Sequence, residues 1–163
     1  MIIALYITAI AILVIADQVL KYFVVLKLEP IGTLNFIPGF IQLRYMENTG
    51  AAFGIFKDQK AFLLTLSVFI LGICFYVIFS KNFRGIFYST GAAMMAAGGI
   101  GNIVDRLTRG FVVDFFEFTF IDFAIFNFAD ILVTTGAAFI IIELLRDMNK
   151  EIKSKKESSI KDV

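Results

Sequence analysis

The chain predicts a mainly helical membrane protein of four transmembrane spans, with a small extracytoplasmic β-sheet region between the first and second. Three observations carry this. Uncharged apolar runs of span length recur along the 163 residues, 59% of the residues are hydrophobic against 18% charged, and the mean hydropathy is +0.85. A hydrocarbon core of about 30 Å demands about 20 apolar residues per helix. Together they place one compact membrane domain over 1–149, followed by a basic tail over 150–163.

The first span covers about 3–26. Residues 2–16 carry no charge and the apolar pattern continues to Leu26, roughly 24 residues, enough to cross with some tilt. It lacks the basic leading segment of a cleaved signal peptide, and Asp17, Gln18 and Lys21 stand where a small-residue cleavage site belongs. The second span is the uncharged run 61–79. The third is drawn over 85–106, where Gly91, Gly98, Gly99 and Gly101 among alanines read as a close helix-packing face. These glycines follow no strand, which argues against a phosphate cradle. The fourth, 127–145, admits Asp130 within its first turn or so.

Between the first two spans, Phe40 to Glu47 partly alternates apolar with polar as a half-buried strand does, and Asn48-Thr49-Gly50 supplies a turn. This predicts a small sheet on the membrane surface. Between the last two spans, 111–128 holds eight of the twenty phenylalanines, interleaved with Asp114, Glu117 and Asp122. Aromatic and polar groups mixed in this way suit the interface. The tail from Lys150 is polar and basic and reads as solvated or disordered. Lys81, Arg84 and the tail lysines belong in the cytoplasm by the positive-inside rule, against the weight of Lys27, Arg44, Lys57 and Lys60 in the first loop. Both termini are then cytoplasmic, and Asp17, Lys21, Asp105, Asp114 and Asp130 lie toward the outer face.

Histidine is absent and Cys74 is the only cysteine. That removes Ser-His-Asp and Cys-His catalysis, His-ligated metals and any intrachain disulfide. Carboxylates remain. Asp114 and Asp130 sit in apolar sequence, where an Asp at a span centre costs roughly 2.5 to 3.5 kcal/mol, so their presence points to use. On one straight helix they would stand about 24 Å apart; they meet only if the Phe-rich segment reverses the chain. Two carboxyls in a poorly solvated site share a proton, giving the acid and base that peptide hydrolysis requires. The plain alternative is two solvent-facing carboxylates at loop ends. Asp17 and Lys21, at i and i+4, read first as a helix-face ion pair, and Arg106 as a group that fixes backbone and carboxylates.

Five segments in order then carry a resemblance: Asp17-Gln18-x-x-Lys21; Asn48-Thr49-Gly50-Ala51-Ala52-Phe53-Gly54; Gly98-Gly99-Ile100-Gly101-Asn102-Ile103-Val104-Asp105-Arg106; Gly110-Phe111-Val112-Val113-Asp114-Phe115; and Phe126-Asn127-Phe128-Ala129-Asp130. They resemble the motif set of bacterial lipoprotein signal peptidases, the signal peptidase II family. The resemblance implies an intramembrane aspartic endopeptidase that removes signal peptides from prolipoproteins, cutting before the diacylglyceryl-modified cysteine. On it Asp114 and Asp130 match the catalytic pair. Asn48, Asn102, Asp105, Arg106 and Asn127 match polar positions around the site, Asp17 and Lys21 match its outer-end support, and Gly50 and Ala129 fall within the matched motifs. The partners implied are lipid-modified prolipoproteins and membrane lipids, with no nucleic acid, metal or cofactor, in a monomer of the bacterial cytoplasmic membrane. Two departures concern loop geometry: Ala124 or a neighbour replaces a proline usual before the last motif, and Ile131 replaces a small polar residue after it.

The rival from another class is a small proton-coupled carrier or channel subunit with Asp17, Asp114 and Asp130 as a relay. Inverted repeats or broken helices would mark it, and neither is evident in the sequence. A scaffold without chemistry leaves the polar clustering at one face unexplained. The orientation yields a test. With Cys74 first replaced by Ala, cysteines placed at Thr49 and Thr119 should react with an impermeant thiol reagent outside intact cells, and one at Asn82 should not. Labelling at Asn82 alone would invert the topology.

Overall fold

The structure is a computed structural model that describes residues 2–51, 55–80, 83 and 85–161, with side chains described up to 157. Lys81, Asn82 and Arg84, and Ala52, Phe53 and Gly54 of the second motif, lie outside the described residues. In chain order it contains α1 (Ile2–Phe23), β1 (Thr33–Ile37), β2 (Ile41–Asn48), α2 (Lys60–Phe79), α3 (Ile86–Thr108), β3 (Val112–Phe118) and α4 (Phe128–Lys161). The end of α1 widens into a π-helical segment, Val24–Leu28, closed by Glu29 N–H donating to the Val24 carbonyl at 3.1 Å.

The helices form a bundle with α3 at its centre, packed on α1, α2 and α4. Sequence decides which helix is central. Ala92, Ala96 and Ala97 are fully buried, because small side chains let neighbouring backbones approach, the source of helix association where lipid leaves no hydrophobic drive. Gly91 of α3 and Gly136 of α4 cross so closely that a Cβ on either would stand 2.5 Å from the carbonyl oxygen of the other. The outer faces are apolar instead: Leu5, Ile12, Ile15, Val68, Phe69 and Ile141 are all exposed, as suits side chains that meet hydrocarbon.

Among the described residues, three helices are long and apolar enough to cross a membrane, over Ile2–Leu28, Lys60–Phe79 and Phe128–Glu157. α3 is the exception to the expected four. Its 23 residues give roughly 34 Å of helix, but glycine, alanine and the polar residues of its last turns lower its hydropathy. A helix ringed by others is not selected for lipid contact.

The sheet corrects the predicted architecture. It is three-stranded and antiparallel in the order β1-β2-β3, so it draws its third strand from the segment between α3 and α4 and is not confined to the region between the first two helices. β3 showed no period of two because Val112, Val113, Asp114 and Phe115 are all buried, Val113 and Phe115 packing with Leu28 of the π segment. β1 is exposed along its whole length, which also hides any alternation. Phe118, the last residue of β3, makes ring contacts with Phe40, Phe120, Phe123 and Phe126, so the Phe-rich segment folds back on the sheet.

The tail is helical, against the disordered alternative. α4 continues without a break to Lys161, passing the boundary drawn at 149. Lysine and glutamate are good helix formers, and pairs one turn apart support this stretch: Lys150 with Asp147 at 2.9 Å and Lys155 with Glu151 at 2.7 Å. Residues 150–157 are exposed, so the solvated reading stands.

The Gly91 crossing is testable. Gly91→Val would drive a side chain into backbone that cannot rotate away, at a cost of about 1 to 3 kcal/mol or more. The thermal midpoint in detergent should fall by several degrees, and an unchanged midpoint would mean that α3 and α4 are not held at this distance.

Candidate active site

The chain reversal that the two aspartates needed is made by β3 and the strap after it. Phe116 and Phe126 exchange backbone bonds, Phe116 N–H to the Phe126 carbonyl at 2.8 Å and Phe126 N–H to the Phe116 carbonyl at 3.0 Å, bringing the start of α4 beside β3. This pairing holds the strap without the proline that Ala124 or a neighbour replaces. Asp114 in β3 is 1% exposed; Asp130 is half-buried in the first turn of α4.

Asn127 caps α4 reciprocally with Asp130. Asp130 N–H donates to Asn127 Oδ1, and Asn127 N–H donates to Asp130 Oδ2, both at 3.0 Å, the arrangement of a capping box. With its oxygen committed to the cap, the Asn127 amide turns Nδ2 toward Asp114 Oδ1 at 2.6 Å. On the other side, Asn48 Oδ1 accepts from Gly50 N–H at 2.9 Å in an Asx turn, which directs Asn48 Nδ2 to Asp114 Oδ2 at 2.8 Å. Asn102 Nδ2 donates to Asp130 Oδ1 at 2.9 Å. Asp114 and Asp130 are thus fixed on one amide network. Neither is a free loop carboxylate.

A second polar layer lies under the first. Asp17 and Lys21 form the i, i+4 ion pair that their spacing suggested, but fully buried rather than on an open helix face. Lys21 Nζ stands 3.0 Å from Asp17 Oδ2 and 3.0 Å from Asp105 Oδ2, and donates to Asn102 Oδ1 at 2.8 Å. Asp17 Oδ1 accepts from Ala129 N–H at 3.1 Å, satisfying another open donor at the start of α4. Asp105 Oδ2 accepts from Val113 N–H at 3.2 Å, tying α3 to β3. Arg106, 8% exposed, donates from Nη2 to the Gly50 carbonyl at 2.8 Å, and its buried Nε has no hydrogen-bond partner among the described residues. It bonds backbone, as one half of its expected role; among the described residues it makes no ion pair with a carboxylate.

Every residue named for the site in the sequence therefore lies in this one assembly: Asp17, Lys21, Asn48, Gly50, Asn102, Asp105, Arg106, Asp114, Asn127, Ala129 and Asp130. Two participants were not singled out for the site. Gln18 Nε2 donates to the Gly101 carbonyl at 3.1 Å and approaches Asp105 Oδ1 at 3.4 Å, and Arg109 lies 3.6 Å from Asp105 Oδ1. The signal for Gln18 was its place inside the first motif; the i+4 spacing from Asp105 was the signal for Arg109.

A cavity of about 560 Å³ is lined by both carboxylates, by the polar Asn48, Asn102 and Arg106, and by the apolar Leu71, Met95 and Val133. Ala124 and Ile131, the two departures, both line it. Among the described residues no group of three or more carboxylate or thiol side chains is placed to hold a metal ion. Burial, then the facing Asp130 carboxylate, raise the Asp114 carboxyl from 3.8 to about 7, against the donors Asn48 and Asn127 and the Lys21 ammonium.

A pair of carboxylates lining a cavity shared with apolar side chains, inside a bundle with membrane-length helices, defines a membrane-embedded hydrolytic enzyme. Known proteins agree. The family model for signal peptidase (SPase) II matches residues 9–146, and the chain belongs to the signal peptidase II family, proteases of the aspartic type. The lipoprotein signal peptidase of Streptococcus pyogenes serotype M5 (strain Manfredo) is 34% identical over 143 residues, 88% of this chain and 94% of the relative; that of serotype M18 (strain MGAS8232) matches to the same extent. Two solved structures are similar. A bacterial membrane enzyme determined in meso at 2.3 Å has a TM-score of 0.83 and 33% identity, covering 90% of this chain and 91% of that one. Another at 1.9 Å has a TM-score of 0.79 and 34% identity, covering 88% and 94%.

The raised Asp114 value has a signed consequence. Between 3.8 and about 7 the folded protein holds a proton that the unfolded chain has released. This contribution to stability is full below the unfolded value and is lost as pH rises through the folded one, a change of roughly 4 kcal/mol. The thermal midpoint should fall from pH 5 to pH 8, with a shallower slope in Asp114→Asn. Equal slopes would mean that Asp114 titrates as an ordinary surface carboxylate.

Proposed function

We propose that this protein removes signal peptides from lipid-modified prolipoproteins, cutting just before the diacylglyceryl-modified cysteine, with Asp114 and Asp130 as its catalytic carboxylates. The observation that carries this is the Asn127 cap, which holds Asp130 while its amide reaches Asp114, both carboxylates lining a cavity shared with apolar side chains. The polar lining residues suit reacting groups, and the apolar ones suit acyl chains and an apolar signal helix.

In the reaction the pair shares one proton. Asp130 takes a proton from a water as its oxygen attacks the scissile carbonyl carbon, and protonated Asp114 gives its proton to the carbonyl oxygen. The tetrahedral diol then collapses: the C–N bond breaks, the amine leaves with a proton from Asp130, and Asp114 regains its own from the diol. Apolar walls keep bulk water from the site and strengthen each hydrogen bond within it. Four spans, with α3 as the third, both termini in the cytoplasm of a bacterial cell, the site toward the outer face and a monomeric enzyme complete the proposal. The apolar belts of α1, α2 and α4 support it, as does the length of α3.

Purified protein incubated with a lipidated prolipoprotein should release the mature form, and an unlipidated precursor should not be cut. Asp114→Asn and Asp130→Asn should each abolish cleavage, and the double variant should be hardly worse than either single, since the two act as a unit. Asn at 114 turns one of its own N–H donors toward Asn48 or Asn127, so folding must be checked alongside. Asp122 is exposed and Asp122→Asn should retain activity. The rate should follow a bell against pH, its alkaline limb near 7 where Asp114 loses its proton. Strong cleavage by either Asn variant, with Asp122→Asn impaired, would mean that other carboxylates do the work.

A further inference from the structure

Lys21 does more than neutralise Asp17. An ammonium has three N–H donors and no acceptor, and here it meets three oxygens: Asp17 Oδ2 and Asp105 Oδ2, each at 3.0 Å, and Asn102 Oδ1 at 2.8 Å. An amide that faces a pure donor must turn its oxygen to it. Asn102 is therefore held with Nδ2 on the opposite side, where it donates to Asp130 Oδ1 at 2.9 Å. The same Asn102 oxygen accepts from Asn127 Nδ2 at 3.3 Å, and that nitrogen reaches Asp114 Oδ1 at 2.6 Å. One buried cation thus sets the polarity of the Asn102 amide that reaches Asp130, while Asn127, oriented by its own cap on α4, shares the Asn102 oxygen and reaches Asp114. Without it, Asn102 can turn over and present its oxygen to Asp130, acceptor against acceptor.

We propose that Lys21 is a positioning residue for the aspartate pair, acting through the Asn102 amide rather than by touching the substrate. This rests on the reading of Asp114 and Asp130 as the catalytic carboxylates. It differs from an ion pair that only holds α1 to α3, since such a pair would act on folding and not through Asn102.

The test uses the full chain in detergent with phospholipid and a lipidated prolipoprotein as substrate. Lys21→Met leaves Asp17 and Asp105 buried without their cation and can fail to fold, so it is paired with Asp105→Asn, which removes one buried anion with the cation. Measured against Asp105→Asn alone, the added Lys21→Met should lower kcat roughly 10- to 100-fold with KM little changed. In an Asn102→Ala background the same Lys21 change should cost less than about twofold more, because the route is already cut.

The pH profile gives a second readout. Asp114 is faced by Asp130 from α4, Arg106 from α3, Lys21 from α1 and, from β2, the uncharged Asn48. Removing the ammonium takes away a group that favours charged Asp114, so the alkaline limb should move to higher pH. Equal kcat losses with and without Asn102, or an unmoved limb with only a lower folded yield, would reduce Lys21 to a structural ion pair. Failure of the underlying reading looks different: Asp114→Asn or Asp130→Asn would still cleave, or the unsubstituted protein would not.

Discussion

The start of α4 is the constraint on which the site depends. A helix N-terminus leaves four N–H groups without partners, and here those of Asn127, Ala129 and Asp130 are met by side chains of the polar cluster. Asn127 and Asp130 cap one another, and Asp17 reaches across from α1 to Ala129. Satisfying the helix end therefore fixes Asp130 on a rigid element and aims the Asn127 amide at Asp114. A loop would leave both carboxylates free to turn toward water. Because the same bonds serve folding and positioning, a change at Asn127 disturbs both.

Burial explains why so many amides surround so few charges. Carboxylates in a poorly solvated place are costly unless hydrogen-bonded, and full neutralisation by cations would hold both aspartates ionised. Uncharged donors from Asn48, Asn102 and Asn127 satisfy the oxygens while burial and the Asp130 carboxylate push the Asp114 carboxyl up to about 7. The cations stand one step back. Lys21 bonds Asp17 and Asp105, and Arg106 bonds the Gly50 carbonyl.

What the sequence revealed of this depended on contrast. Polar groups in apolar runs are conspicuous, so Asp17, Lys21, Asn102, Asp105, Asp114 and Asp130 stood out. The helices were legible from the length of their uncharged runs, and a strand over Ile41–Asn48 from its partial alternation. β3 was illegible because both of its faces are covered, and β1 because neither is. The apolar lining of the cavity left no mark either: Leu71, Met95 and Val133 read as ordinary span residues. The tail misled by its composition, since charge alone does not separate a solvated helix from coil, whereas Glu151 and Lys155 one turn apart do. Asp17 and Lys21 showed their spacing but not their depth, which depends on α3 lying against them.

The two acids of the lower layer also bear on how such a chain is made. Asp17 has Lys21 four residues on in α1, and Asp105 near the end of α3 has Arg109 four residues on at its cap, at 3.0 and 3.6 Å. Each helix brings its own counter-charge. During biosynthesis α1 emerges well before α3, and a lone buried acid would then weigh against its entry into lipid by roughly 2.5 to 3.5 kcal/mol. Paired within its own turn, that acid enters as part of a neutral segment, and Lys21 needs only to take up a second carboxylate when α3 arrives. Each acid of the cross-helix cluster thus arrives with a counter-charge from its own stretch of chain.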